Sequence, residues 1–379
     1  MVIGFDAKRA FQNMTGLGNY SRMLICGLAQ RYQHVRSFLY APDMGGEYKG
    51  YFSGYANIST RQPSGVDRRF PNLWRSLGVS AHLKGDKVDI FHGLSHELPY
   101  GIPHSIKKVV TMHDLIVWRY PQYYTAFDRR VHRAKQRHAC RIADRVIAIS
   151  EQTKRDLMEY MHVPESKIRV LYQSCDSLFW KPISERDKAS ARETYDLPER
   201  YIVCVGSIEE RKNQQAVVKA MAELPADVHL VIVGRQHGSY YHGLLSEIKR
   251  QKLNDRVHII TDADFEDFPC LYANAVASVY MSQFEGFGIP IVESMCCDTP
   301  VVTSNISSMP EAGGDAALYA DPNNPHEIAQ QLQRIVNDPQ LRAELVEKGR
   351  KQRQLFAPDK IIADFYAFYT ELCPEKEDA

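Results

Sequence analysis

Short runs of apolar, β-favouring residues recur along this chain at distances that leave room for a helix between each pair, and that spacing narrows the fold before anything else does. The first series is Val2–Phe5, Ser37–Tyr40, Val88–Phe91, Val109–Met112, Val146–Ile149 and Val170–Tyr172. The second is Tyr201–Val205, Leu230–Val233, Val257–Ile260, Ala277–Tyr280 and Pro300–Thr303. Strands covered by helices on both faces read as continuous apolar stretches, and their alternation with helical segments predicts an α/β chain with parallel sheets. Two series predict two sheets, one per half, as suits 379 residues. Between them Lys181–Pro198 is polar and bracketed by proline, and reads as a linker with one short helix. The expected domains are therefore 1–180 and 198–356. A last helix over 359–373 has apolar residues at 361, 362, 365, 366, 368, 369 and 372, a stripe that must pack on something.

Composition excludes several classes. At 44% hydrophobic and 25% charged residues the chain is neither disordered nor collagen-like. No apolar run approaches the 18 or so residues of a spanning helix, and the N-terminus reaches Asp6 without the apolar region of a secretory signal. A cytoplasmic protein is the expectation. Eight cysteines contain no C-x-x-C pair, so buried thiols in a reducing compartment are expected, with an oxidation-sensitive thiol as the lesser alternative. The net charge of +1 conceals two unlike halves. Residues 1–175 carry 26 Lys and Arg against 14 Asp and Glu, a net +12, and the remainder carries 21 against 32, a net −11. The basic half suits a phosphate-bearing ligand or an anionic membrane surface, although its densest run, Asp128–Arg141, reads equally as a solvated helix face.

The most informative segment is S-Q-F-E-G-F-G-I-P-I-V-E over 282–293. A strand ending at Tyr280 enters a glycine-containing loop, and Pro290 suits the start of the helix that follows. Backbone N–H groups of Phe287, Gly288 and Ile289 would point at an anion at that helix start. Glu285 lies before the helix and Glu293 one turn into it, so two carboxylates address different parts of one ligand, and carboxylates accept paired sugar hydroxyls well. A second strand-to-helix turn, G-S-I-E-E-R-K-N over 206–213, offers Arg211 and Lys212 to a phosphate. In the first half, T-G-L-G-N-Y over 15–20 places Gly16 and Gly18 in a loop beyond the carboxyl end of strand one; as a dinucleotide fingerprint it is incomplete, with Ser21 where a third glycine belongs. His113 follows the strand at 109–112 and reads either as a group that contacts a hydroxyl or stabilises charge, or as a structural histidine paired to Asp114. Asp262-Ala-Asp264 is better explained by Asp264 capping a helix than by a metal, and no metal site is expected.

Together the E-G-F-G-I-P-x-x-E segment, the G-S-x-E-x-R-K-N turn, the G-L-G-N-Y loop and the His113-Asp114 pair resemble the retaining nucleotide-sugar glycosyltransferases of the GT-B fold, family four. The resemblance runs through nearly the whole chain, including Phe91-His-Gly-Leu-Ser and Val146-Ile-Ala-Ile-Ser. It implies two Rossmann-like domains facing a cleft, the C-terminal one binding the donor and the N-terminal one the acceptor, with the final helix crossing back to the N-terminal domain. It further implies that Glu293 binds the donor ribose, Glu285 and His113 act at the transferred sugar, and Arg211 and Lys212 hold the diphosphate, with Gly16, Gly18 and the 287–289 amides close to it. Many relatives carry Arg directly after the first glycine of the turn; Ser207 stands there in this chain, which shifts phosphate neutralisation onto Arg211 and Lys212.

Cleaving a sugar–phosphate bond builds positive charge at the anomeric carbon and negative charge on the leaving diphosphate, so fixed cations and a helix N-terminus serve without a cofactor. A covalent retaining route would need a carboxylate under the anomeric carbon. No residue stands out for it, which favours front-face transfer. The general look of the R-K-N turn suggests GDP-mannose as donor. The expected partners are that nucleotide sugar, a glycan or lipid-linked acceptor and an anionic membrane surface, with no nucleic acid. The rival readings are a UDP-N-acetylglucosamine 2-epimerase of the same architecture, a noncatalytic carbohydrate-binding relic and, least of all, an NAD enzyme.

Overall fold

The apolar runs of the first half become β1 (Val2–Asp6), β2 (Arg36–Tyr40), β4 (Ile90–Gly93), β5 (Lys107–Met112) and β6 (Arg145–Ala148), joined by β3 (Ile58–Arg61) and by β7 (Ile168–Val170), which shares only Val170 with the run expected at 170–172. They pair in parallel in the order β3-β2-β1-β4-β5-β6-β7. The second half forms β8 (Tyr201–Val205), β9 (His229–Val233), β10 (Val257–Ile260), β11 (Ala277–Tyr280), β12 (Val301–Ser304) and β13 (Ala317–Ala320), parallel in the order β10-β9-β8-β11-β12-β13. Strands β3 and β13 lie outside the runs read from the sequence. Both are four-residue edge strands, and partial exposure spares them a continuous apolar stretch.

The computed structural model describes residues 1–236 and 238–374 and divides into two units, one of Met1–Ser174 with the chain from Ala357 on, the other of Cys175–Phe356. The polar segment 181–198 lies in the second unit. Its helix Glu185–Thr194 is capped by Ser184, whose Oγ accepts the Asp187 amide, and Asn274 Nδ2 donates to the Lys188 carbonyl at 2.9 Å. In each unit helices cover the sheet, as the buried strand residues require.

The helix Pro358–Leu372 belongs to the first unit and buries Ile361, Ile362, Phe365, Phe368 and Tyr369 in the core that contains Leu24 and Leu28 of the helix Gly16–Arg31. Each such side chain contributes about 1.5–3 kcal/mol of burial. Gly27 makes the contact close, since a Cβ there would stand 2.5 Å from the side chain of Ile362. A buried polar chain crosses the same core: Tyr20 Oη to Thr111 Oγ1 at 2.9 Å, Thr111 Oγ1 to His92 Nε2 at 2.8 Å, and His92 Nδ1 to Tyr369 Oη at 2.6 Å. Burial pushes the His92 pKa down to about 3, so the ring there is neutral.

Candidate active site

In an open parallel sheet, ligands bind beyond the carboxyl ends of the strands where the strand order reverses. In the second unit that point lies between β8 and β11, and the two sequence motifs are the loops that leave those strands. The β8 loop passes Gly206 and Ser207 into the turn Glu210–Lys212, then Asn213, in the left-handed region at φ 59°, starts the helix Gln214–Met221. The β11 loop runs from Met281 to Gly288, whose φ of +107° suits glycine, and the helix Ile289–Cys296 follows with Pro290 in its first turn. The two loops are tied directly, the Gln283 amide donating to the Arg211 carbonyl at 2.8 Å.

This topology brings Arg211, Lys212 and Glu285 together. Glu285 Oε1 lies 2.5 Å from Arg211 Nη1 and 2.7 Å from Lys212 Nζ, while Arg211 Nη2 reaches Glu209 Oε1 at 2.6 Å. Lys212 also donates to the Tyr280 hydroxyl. The Glu285 backbone is fixed by Ser307 and Ser308, whose hydroxyls both donate to its carbonyl at 2.9 Å. Burial alone would raise the Glu285 pKa, but the charges of Arg211 and Lys212 override it and bring it to about 2. Burial lowers the pKa of Lys212, with Glu285 acting against that shift.

Glu293, eight residues on, behaves oppositely. Burial raises its pKa to about 7, although the Tyr272 hydroxyl donates to its Oε2 at 3.1 Å. One carboxylate is thus held ionised between two cations, and the other titrates near neutrality. The helix carrying Glu293 starts at Ile289, so Phe287, Gly288 and Ile289 border its positive end. Phe287 itself is 2% exposed and packs edge-on against Phe356, ring centroids 5.2 Å apart.

The predicted residues of the first half lie in the first unit. Between β1 and the glycines a short helix, Lys8–Gln12, intervenes. Gly16 and Gly18 do not form a flexible loop, as the sequence suggested, but stand in the first turn of the helix Gly16–Arg31. Asn13 imposes this, its Oδ1 accepting the amides of Thr15 at 2.9 Å and Gly18 at 3.1 Å, and Arg22 Nη1 donates to the Asn13 carbonyl. A Cβ on Gly18 would meet the Asn13 carbonyl oxygen at 1.8 Å, so no larger residue fits. His113 sits one residue past β5, 5% exposed, its Nε2 on the Leu94 carbonyl at 2.8 Å and its ring edge-on to Tyr20 at 4.7 Å. A carbonyl partner requires the proton on Nε2, leaving Nδ1 as the acceptor. Burial, with His96 adding to it, lowers the pKa to about 3, so this imidazole is neutral at physiological pH. Asp114 Oδ1 accepts the Ile116 amide.

Several participants escaped the sequence reading. Glu209, Tyr280 and Tyr272 orient the site's charges, yet nothing marks them except position in or beside the motifs. Asp6, at the end of β1, is paired with Arg75, which also holds Glu97 at 2.8 Å. Asp264 occupies the position before the turn Phe265–Asp267 but makes no side-chain cap; its backbone amide donates to Tyr195 Oη instead. Part of the basic run is structural, with the Arg133 and Arg137 guanidinium groups 4.7 and 4.5 Å from the Trp118 ring centroid.

Comparison with known proteins agrees with this architecture. Residues 14–177 match the profile of Glycosyltransferase Family 4 and residues 185–352 that of the Glycosyl transferases group 1. The chain is 27% identical over 376 residues to the O-antigen chain mannosyltransferase B of Escherichia coli, covering 94% of this chain and 96% of the relative. A glycosyltransferase from Rickettsia africae ESF-5 superposes with a TM-score of 0.77 at 18% identity, covering 99% of each chain. Anabaena Alr3699/HepE in complex with UDP-glucose superposes with a TM-score of 0.77 at 19% identity, covering 98% of this chain and 99% of the other. With strand order, paired cations and matched profiles all in place, the chain belongs to glycosyltransferase family four and has the two Rossmann-like domains of the GT-B fold.

Proposed function

We propose that this glycosyltransferase moves a hexose, mannose in first place, from a nucleotide-diphosphate sugar to a glycan or lipid-linked acceptor, with retention, in the synthesis of a cell-surface polysaccharide. GDP-mannose is the favoured donor. The observation that carries the reading is the partly buried Arg211–Lys212–Glu285 cluster beside Glu293, where the strand order reverses. The match over nearly the full length to a protein named an O-antigen chain mannosyltransferase supports the sugar and the pathway class.

In this reading Glu293 accepts the ribose hydroxyls, and Arg211 and Lys212 hold the diphosphate with the 287–289 amides. The cations stabilise the leaving group as its charge develops, which makes a divalent metal unnecessary. Glu285 and His113 act at the transferred sugar, His113 through its neutral ring. The acceptor hydroxyl loses its proton to the departing phosphate on the same face, so configuration is retained.

The enzyme works in the cytoplasm at the inner face of the membrane. No helix among the described residues is long and apolar enough to cross a membrane. Val66, Phe70, Leu73, Leu77 and Phe127 are each more than half exposed, near in sequence to exposed Arg68, Arg69 and Arg130. Apolar side chains among basic ones suit an anionic lipid surface. Equal recovery on anionic and neutral vesicles at low salt would remove this part.

The decisive experiment incubates the purified protein with GDP-mannose, UDP-glucose and UDP-N-acetylglucosamine, in EDTA, with a lipid-linked oligosaccharide acceptor. Product from GDP-mannose with an α-linkage is expected, and Glu293→Ala or Lys212→Ala should abolish most of it. An epimer formed from UDP-N-acetylglucosamine alone would overturn the reading, as would double-digit percentages of activity left in both variants.

A further inference from the structure

Cys175 and Cys296 are 121 positions apart in sequence, yet their sulfurs lie 3.7 Å from each other. We propose that this pair is a reversible oxidation site, at which a peroxide forms a disulfide that slows the transferase. Cys296 ends the helix Ile289–Cys296 and is partly exposed, whereas Cys175 is 2% exposed and is the first residue of the second unit. A small oxidant therefore reaches Cys296 first and finds Cys175 positioned behind it. A disulfide sulfur separation of about 2.05 Å needs the two to close by less than about 2 Å, within reach of side-chain rotation. The other partly exposed thiols, Cys26 and Cys373, belong to the first unit.

The steps balance with one peroxide. The Cys296 thiolate attacks one peroxide oxygen, the O–O bond breaks, and Cys296 becomes a sulfenic acid while the other oxygen leaves as water. The Cys175 sulfur then attacks the sulfenic sulfur. The S–S bond forms, the S–O bond breaks, and hydroxide departs with the Cys175 proton as a second water. Two thiols have lost two electrons and two protons, and a dithiol reductant returns them. Burial raises the Cys175 thiol pKa, which fits it to the second step rather than the first.

The bond would tie the residue that begins the second unit to the helix that carries Glu293. Glu293 lies three residues before Cys296, and its charge acts on Cys175. The effect on turnover rests on the reading of Glu293 as a donor ligand; the bond itself does not.

The test treats the full-length protein with a few equivalents of hydrogen peroxide, blocks free thiols with iodoacetamide and digests without reductant. The expected product is a Cys175–Cys296 linked peptide, accompanied by a fall in hexose transfer of about tenfold that dithiothreitol restores. Cys296→Ser should yield no linked peptide and keep its transfer rate under peroxide, and Cys175→Ser serves if that variant fails to fold. Recovery of Cys296 as sulfinic acid or linked to Cys297 would overturn the site. A linked peptide with undiminished transfer would overturn its regulatory part. A chain that forms the link but transfers no sugar before oxidation would count against the proposed function alone.

Discussion

Glu285→Gln isolates the charge logic of the proposed donor site, because it removes a negative charge and almost no volume. In the folded protein Glu285 neutralises two partly buried cations at 2.5 and 2.7 Å, its own side chain being 13% exposed. Breaking a buried ion pair from one side costs about 3–5 kcal/mol, and since this cluster is partly exposed and Gln still offers a carbonyl to Arg211 and Lys212, no more than the lower figure applies. For a domain of this size about 3 kcal/mol corresponds to a fall in melting temperature of roughly 6–12 °C. A nucleoside diphosphate supplies the missing negative charge, so GDP should stabilise the variant more than the natural protein. For comparison, ligand at about 100 times its Kd gives about 2.7 kcal/mol, and the variant's affinity should rise about tenfold while transfer falls. Differential scanning fluorimetry with and without GDP, followed by calorimetric titration, measures both. A melting temperature unchanged in the variant, or the same GDP shift in both proteins, would refute the reasoning.

Glu293, as the proposed ribose ligand, should make donor binding sensitive to pH. With its pKa raised to about 7, this carboxylate is lost as pH falls from 8 to 6, so under the proposed role GDP affinity should weaken towards tenfold per unit in calorimetric titration, and Glu293→Gln should flatten the profile. For stability the sign is reversed: a folded pKa above the ordinary 4.5 contributes stability that is present below about 4.5 and lost as pH rises through 7. Gly18→Ala should cost about 1–3 kcal/mol in denaturant unfolding because the Cβ collides with the Asn13 carbonyl, whereas Gly16→Ala, with no atom within 4 Å, should stay within about 0.5 kcal/mol. His113→Ala should lower turnover while leaving the GDP dissociation constant unchanged, and a parallel loss of both would place His113 elsewhere in the mechanism.

Strands with two buried faces announced themselves in the sequence because burial leaves a continuous apolar run, as in Tyr201–Val205. Edge strands such as Ile58–Arg61, half exposed and polar, gave no such signal. Arg211, Lys212 and Glu285 stood out as types suited to phosphate and sugar, but their mutual contact depends on β8 and β11 being neighbours, which no local pattern encodes. Nor does spacing reveal that the Glu285 and Glu293 pKa values move in opposite directions, since burial raises both and only at Glu285 do Arg211 and Lys212 override it. Gly16 and Gly18 looked like a loop for lack of any sign that Asn13 would start the helix early. The proximity of Cys175 to Cys296 likewise has no trace in the order of residues.

The helix Pro358–Leu372 has a bearing on how the protein is made. Ile361, Ile362, Phe365, Phe368 and Tyr369 complete a core whose other members begin at Ile3, so the first unit emerging from the ribosome lacks part of its interior until residues 358–372 are synthesised. The second unit, contiguous from Cys175 to Phe356, carries no such debt and can finish folding first. Nascent chains should therefore gain protease resistance in the order second unit, then first, and a chain stopped before Pro358 should leave the Gly27 contact uncovered on the half that is translated before the second unit.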